Sequence, residues 1–190
     1  KANDRVMEEV LGEPPPYHTR YEHFIDKTGA KLAKSTGNVI APQLWLKYAS
    51  PQTLFLLMFK RSVGARAVWL RDIPTYIAEV DDLEDVYFDR KRVEDKKELA
   101  RLKGLYEYCW SLKPPEKPTL HVPHNLLVYL AKVAPEGREK QFVLEKLAGY
   151  GHKPDPEDQR FKDRLEKAFN WAREMETVIA SEVRVEGRER

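Results

Sequence analysis

From Leu44 to Ile179 apolar side chains recur at steps of three and four residues, a spacing that puts them on one face of a helix but scatters them over both faces of a strand. Prolines and glycines cut this pattern into pieces. Leu44–Tyr48 reads as a short helix. Ser50-Pro51 caps and starts a second, and Leu54–Phe59 is apolar nearly all round, which predicts burial. Asp72-Ile73-Pro74 opens a third, with Ile73, Ile77, Val80 and Leu83 inward and an acidic face outward. Asp95–Trp110 is a fourth, with Leu99, Leu102, Leu105, Tyr106 and Cys109 inward. Pro114, Pro115 and Pro118 form a rigid connector. His124–Val133 and Arg138–Leu147 read as a helix pair joined around Pro135-Glu136-Gly137. Asp155-Pro156-Glu157-Asp158 then starts a long helix whose stripe is Phe161, Leu165, Ala168, Phe169, Ala172, Met175 and Ile179. Ser181–Arg190 is charged and expected to fray.

The first forty residues read differently. Residues 1–12 form a helix with Val6, Met7, Val10 and Leu11 on one stripe and Gly12 at its end. Three prolines follow. Tyr17–Ile25, rich in aromatic residues, reads as a strand, and Asp26-Lys27-Thr28-Gly29 as a turn. Helix, strand and turn in this order resemble the end of an α/β nucleotide-binding domain. One strand cannot make a doubly wound sheet, so the expectation is a fragment of a longer enzyme.

After the turn comes Lys31-Leu32-Ala33-Lys34-Ser35-Thr36-Gly37-Asn38. Two lysines three residues apart can present two ammonium groups to neighbouring phosphate oxygens. Ser35 adds a hydroxyl, and Gly37-Asn38 permits backbone conformations in which successive N–H groups point at one anion. The plainer reading is a solvated loop, with Ser35 as a turn or helix-cap hydroxyl. Charge distribution favours the first. From Tyr17 to Arg71 there are nine basic and two acidic residues, a surplus of seven, which suits a nucleotide or RNA backbone. From Asp72 to Ala100 ten acidic residues face five basic ones, most simply a solvated helix face.

Other chemistry is thin. Cys109 is the only cysteine, which excludes an internal disulfide and a cysteine-based zinc site. His121 and His124 flank Pro123 as a helix entry rather than a ligand pair, so no metal is expected to be bound by these residues. No apolar run has the length of a membrane span and no signal peptide opens the chain, so a cytoplasmic protein is expected.

The Lys31–Asn38 segment resembles the KMSKS loop of class I aminoacyl-tRNA synthetases, and the remainder resembles class I lysyl-tRNA synthetase of the archaeal and bacterial type. Tyr21–Ile25 leading to Gly29-Ala30-Lys31, Trp45-Leu46 with Ala49-Ser50-Pro51, Ile73-Pro74, Arg101–Glu107, Asn125–Leu127 and Phe169–Trp171 carry the second resemblance. It implies a mainly α fold: residues 1–40 end a Rossmann-type catalytic domain, 41–112 form a helical stem-contact-like region, and 113–190 form an α-helix cage that reads the anticodon. It implies ATP as substrate, with Mg2+ in the full enzyme, and tRNA(Lys) and lysine as partners. Lys34 and then Lys31 would stabilise charge on the ATP phosphates, with Ser35, Gly37 and Asn38 shaping the loop. Arg160, Lys162, Arg164 and Arg173 would grip RNA backbone and Trp171 or Phe169 would stack on bases, although Phe169 also fits the core and surface cations are commonly solvated. The HIGH-type motif of such enzymes is not found, and the resemblance puts it, with the lysine pocket, before Lys1. Alone, these residues are expected not to aminoacylate. Cysteinyl and glutamyl synthetases, and a non-catalytic helical RNA-binding module, stand as alternatives.

Overall fold

Helix α1 (Ala2–Val6) passes into a π-helical turn (Met7–Leu11), which Gly12 ends at φ +67° by donating its N–H to Met7 O. A computed structural model describes residues 2–18, 23–26, 28–32, 40–61 and 64–186, with the backbone alone for residue 2 and residues 176–186. The apolar stripe expected on the first helix does not pack: Val6, Val10 and Leu11 are all exposed. Of the expected strand, Phe24–Ile25 form β1; Tyr17 and His18 stand in solvent, Tyr17 at 94% exposure, and residues 19–22 lie outside the described residues.

From Pro42 onward the fold is mainly α. Helices α2 (Pro42–Tyr48) and α3 (Pro51–Phe59) each begin on proline, whose missing N–H is not needed in a first turn. Ser50 caps α3 with its carbonyl instead of its hydroxyl: Thr53 donates to it from N at 3.1 Å and from Oγ1 at 2.6 Å. Thr53 Oγ1 in turn accepts from Trp45 Nε1 at 2.9 Å, so one buried hydroxyl ties α2 to α3. A short strand, β2 (Arg66–Ala67), interrupts the helical run and pairs in parallel with β1, Phe24 opposite Arg66 and Ile25 opposite Ala67. A 3-10 turn (Leu70–Asp72) leads into α4 (Ile73–Tyr87). Helix α5 (Lys96–Cys109) is capped by Asp95, whose Oδ1 accepts from Glu98 N at 2.7 Å.

Helices α6 (His124–Val133), α7 (Glu139–Gly149) and α8 (Gln159–Glu186) complete the chain. The start of α8 differs from expectation. Asp155 closes a preceding turn through its contact with Glu157 N, and Asp158 takes the cap, accepting from Arg160 N at 2.8 Å. At the other end α8 continues to Glu186, past the point where fraying was expected.

Three apolar clusters result. Trp45, Tyr48, Leu57, Leu70 and Ile73 form the first, and Leu56, Leu83, Leu105, Tyr106 and Cys109 the second. The third gathers Val122, α6, α7 and the first half of α8. Helix α8 joins the first and third, since Phe161, Leu165, Ala168 and Phe169 pack in one and Met175 in the other. Each such apolar side chain stabilises the fold by roughly 1.5–3 kcal/mol. Two details of burial were not expected. Met58 and Phe59 are exposed although α3 is apolar all round, and the acidic face of α4 is turned partly inward at Glu84.

Candidate phosphate loop and nucleic-acid interface

Strand β1 is used on both sides. Along one edge Arg66 N donates to His23 O at 3.4 Å and Val68 N to Ile25 O at 3.0 Å. Across the other, Ile25 and Lys31 form an antiparallel bridge and Leu32 N donates to Phe24 O at 3.1 Å. The turn between them is organised by Asp26. Its Oδ1 accepts from Thr28 N at 2.9 Å, Thr28 Oγ1 at 2.7 Å and Ala30 N at 2.9 Å, while Gly29 adopts φ +88°, a conformation that favours glycine. Sequence order therefore becomes geometry here: a strand, an Asx-type turn, and then the exposed Lys31 at the mouth of the basic segment.

Residues 33–39, with Lys34, Ser35, Gly37 and Asn38, lie outside the described residues. Their two flanks do not. Leu32 before the segment and Ile40 after it both pack on the cluster of Trp45, Leu70 and Ile73. The two flanks of the segment are thus anchored on one core.

The helical candidates separate when placed in space. Arg164 gives Nη1 to Asp81 Oδ1 at 2.8 Å and Nη2 to Asp81 Oδ2 at 2.6 Å, a forked, part-buried pair joining α8 to α4. Arg160 donates from Nη2 to Lys117 O at 3.1 Å, holding the proline connector. Lys162 pairs with Glu157 at 2.7 Å. Trp171 packs edge-on against Tyr48 at 5.9 Å and His124 at 5.6 Å, and Phe169 is core. Arg173 is the open one. Its guanidinium lies 5.6 Å from the Phe169 ring centroid and 3.7 Å from Glu139, with most of the side chain in solvent.

Periodicity had no means of showing the buried cluster around Glu84, which is 4% exposed. Tyr106 OH donates to it at 2.9 Å, Thr119 donates from its amide and, at 2.9 Å, from Oγ1, and His121 Nε2 approaches to 3.3 Å. Burial alone would push this carboxyl up; the donors from His121, Thr119 and Tyr106 outweigh it and hold the pKa down at about 2. Glu84 therefore fastens the connector, and with it the entry to α6, onto α4. The signal in the sequence was the acidic run itself, which pattern reading assigned to solvent. Among the described residues no group of three or more His, Cys, Asp or Glu is placed to hold a metal ion, and no helix is long and apolar enough to cross a membrane.

Known proteins resemble this chain along nearly its whole length. A "Lysine--tRNA ligase" of Cenarchaeum symbiosum is 40% identical over 189 residues, covering 98% of this chain and 35% of the relative. One of Rickettsia bellii is 28% identical over 167 residues, 86% of this chain and 31% of the relative. The chain spans about a third of the length of the curated relatives it matches. The profile of the family described as "tRNA synthetases class I (K)" matches residues 1–109, which takes in β1, the Asp26 turn, the basic segment and helices α2 to α5. The chain belongs to the class I (K) family of tRNA synthetases.

Proposed function

We propose that this chain works within a lysine–tRNA ligase, which joins lysine to tRNA(Lys) at the expense of ATP. The observation that carries the reading is its identity of 40%, along nearly its whole length, to a protein bearing that name. In this reading Lys31 and Lys34 place positive charge against the ATP phosphates while the carboxylate of lysine attacks the α-phosphorus and pyrophosphate leaves. Lys31 is held at the end of the β1 bridge, and Ser35, Gly37 and Asn38 shape the segment around the anion. ATP arrives with Mg2+ on its phosphates.

Helices from Pro42 onward face the tRNA, with the division at residues 40 and 112 separating the nucleotide-binding end, a stem-facing region and an anticodon-facing cage. Arg173 is the best placed of the four candidates on α8 to meet RNA at the surface, because most of its side chain is in solvent, whereas Arg160 and Arg164 lie mostly buried and Trp171 is packed. The site of action is the cytoplasm, where tRNA is charged. The test is aminoacylation by the full-length protein with each amino acid in turn. Charging of tRNA with lysine supports the proposal, and charging with cysteine or glutamate alone rejects it.

A further inference from the structure

A cavity of about 340 Å3 lies between α3, α4, α8 and the segment 110–124. Two helix N-termini border it: Pro51 and Thr53 from the first turn of α3, and Arg160 and Phe161 from that of α8. The positive ends of two helix dipoles therefore meet one space. His124, only 5% exposed, lines it with neither ring nitrogen hydrogen-bonded. Arg160 Nη1 and Arg164 Nε are likewise buried without a hydrogen-bond partner. Such orphans are rare in a folded protein, and these three residues share one cavity.

The carboxylates around the cavity are already engaged. Asp81 is taken by the other two nitrogens of Arg164, Asp163 by Lys167, and Glu84 by Tyr106 and Thr119. Glu84 Oε2 stands 4.0 Å from Arg160 Nη1, beyond hydrogen-bond reach. What the site lacks is an acceptor with several oxygens. We propose that this cavity binds a phosphate-class oxyanion, held by Arg160 Nη1, Arg164 Nε and one N–H of His124, with the dipoles of the two helices adding a favourable field. Formal charge does not drive the binding, since three basic and three acidic side chains line the cavity and cancel. Geometry of the donors does. Burial and the nearby Arg164 push His124 down to about 4, so it is neutral at pH 7 and its second nitrogen accepts. A P–OH supplies that proton for free phosphate, and a ribose hydroxyl supplies it beside a phosphodiester of RNA.

The experiment titrates the full chain with inorganic phosphate, followed by calorimetry and 31P NMR, without ATP or lysine. This keeps the outcome separate from the ligase reading. Saturable binding is expected, weakened tenfold or more in Arg160→Gln and in His124→Leu and unchanged in Lys162→Gln, whose partner Glu157 lies outside the cavity. A second arm uses a single-stranded RNA. RNA binding that phosphate displaces and Arg160→Gln weakens assigns the site to a phosphodiester; RNA binding indifferent to both, with phosphate still bound, assigns it to the free anion. The proposal is overturned if neither probe shows binding sensitive to Arg160→Gln and His124→Leu in variants that keep the helical circular dichroism of the parent.

Discussion

Lowering the pH from 7 to 5 should weaken this protein through one residue, His124. Its imidazole sits at the start of α6 among Trp171, Arg164 and the first turn of α3, and burial followed by the Arg164 charge pushes its pKa from 6.5 to about 4. Folding thus favours the neutral ring, while the unfolded chain takes up a proton near pH 6.5. The stability this contributes is present above pH 6.5 and is lost as pH falls towards the folded value. Linkage gives about 2 kcal/mol lost by pH 5 and about 3 kcal/mol by pH 4. Glu84, lowered to about 2, and the other depressed carboxylates weaken the fold only below their unfolded values near 4.5, so pH 7 to 5 isolates the histidines. Urea unfolding followed by tryptophan fluorescence at both pH values measures the loss. In His124→Leu the loss between pH 7 and 5 should shrink by about 2 kcal/mol relative to the parent. An identical pH dependence in parent and variant would refute the claim that the ring is buried neutral.

Three further outcomes follow from the same geometry. Glu84→Ala leaves the Tyr106 hydroxyl and the Thr119 amide without an acceptor and should cost about 3 kcal/mol in urea unfolding, with Glu84→Gln costing less because it keeps one carbonyl oxygen. Thr53→Val keeps the shape of the side chain but strands Trp45 Nε1 in the core, for a loss of about 1–3 kcal/mol; a neutral result would show that the α2–α3 hydroxyl link is dispensable. Arg173→Ala should weaken tRNA binding at low salt and lower the slope of log affinity against log salt by about one, whereas an unchanged slope would remove Arg173 from the RNA-facing surface.

Local signals carried the helices well. Apolar spacing found α2, Ser50-Pro51 placed α3, the run beginning at Asp95 placed α5, and the spacing of Phe161, Leu165, Ala168 and Phe169 gave the buried face of α8. The errors lie where a partner distant in sequence decides. Tyr17 has the propensity of a strand residue but stands in solvent, whereas Phe24 and Ile25 are strand where Arg66 and Ala67 meet them. Glu84 reads as a solvent-facing acid until Tyr106, Thr119 and His121 converge on it from other segments. Arg160 and Arg164 likewise show their intramolecular partners, Lys117 and Asp81, only in the tertiary structure. The basic segment is a different case. Its reading rests on residue types and their order, and the fold adds the packing of its two flanks, Leu32 and Ile40, on one core.

The central claim is that Lys34 acts on the ATP phosphates in a lysine–tRNA ligase. Lysine-dependent exchange of pyrophosphate into ATP, measured with tRNA(Lys) present and in the full-length protein, tests it most directly. Lys34→Ala should lower the exchange rate by about tenfold or more while leaving the helical circular dichroism unchanged, as removal of a group that stabilises developing charge does. Exchange at the parental rate in Lys34→Ala would contradict the account.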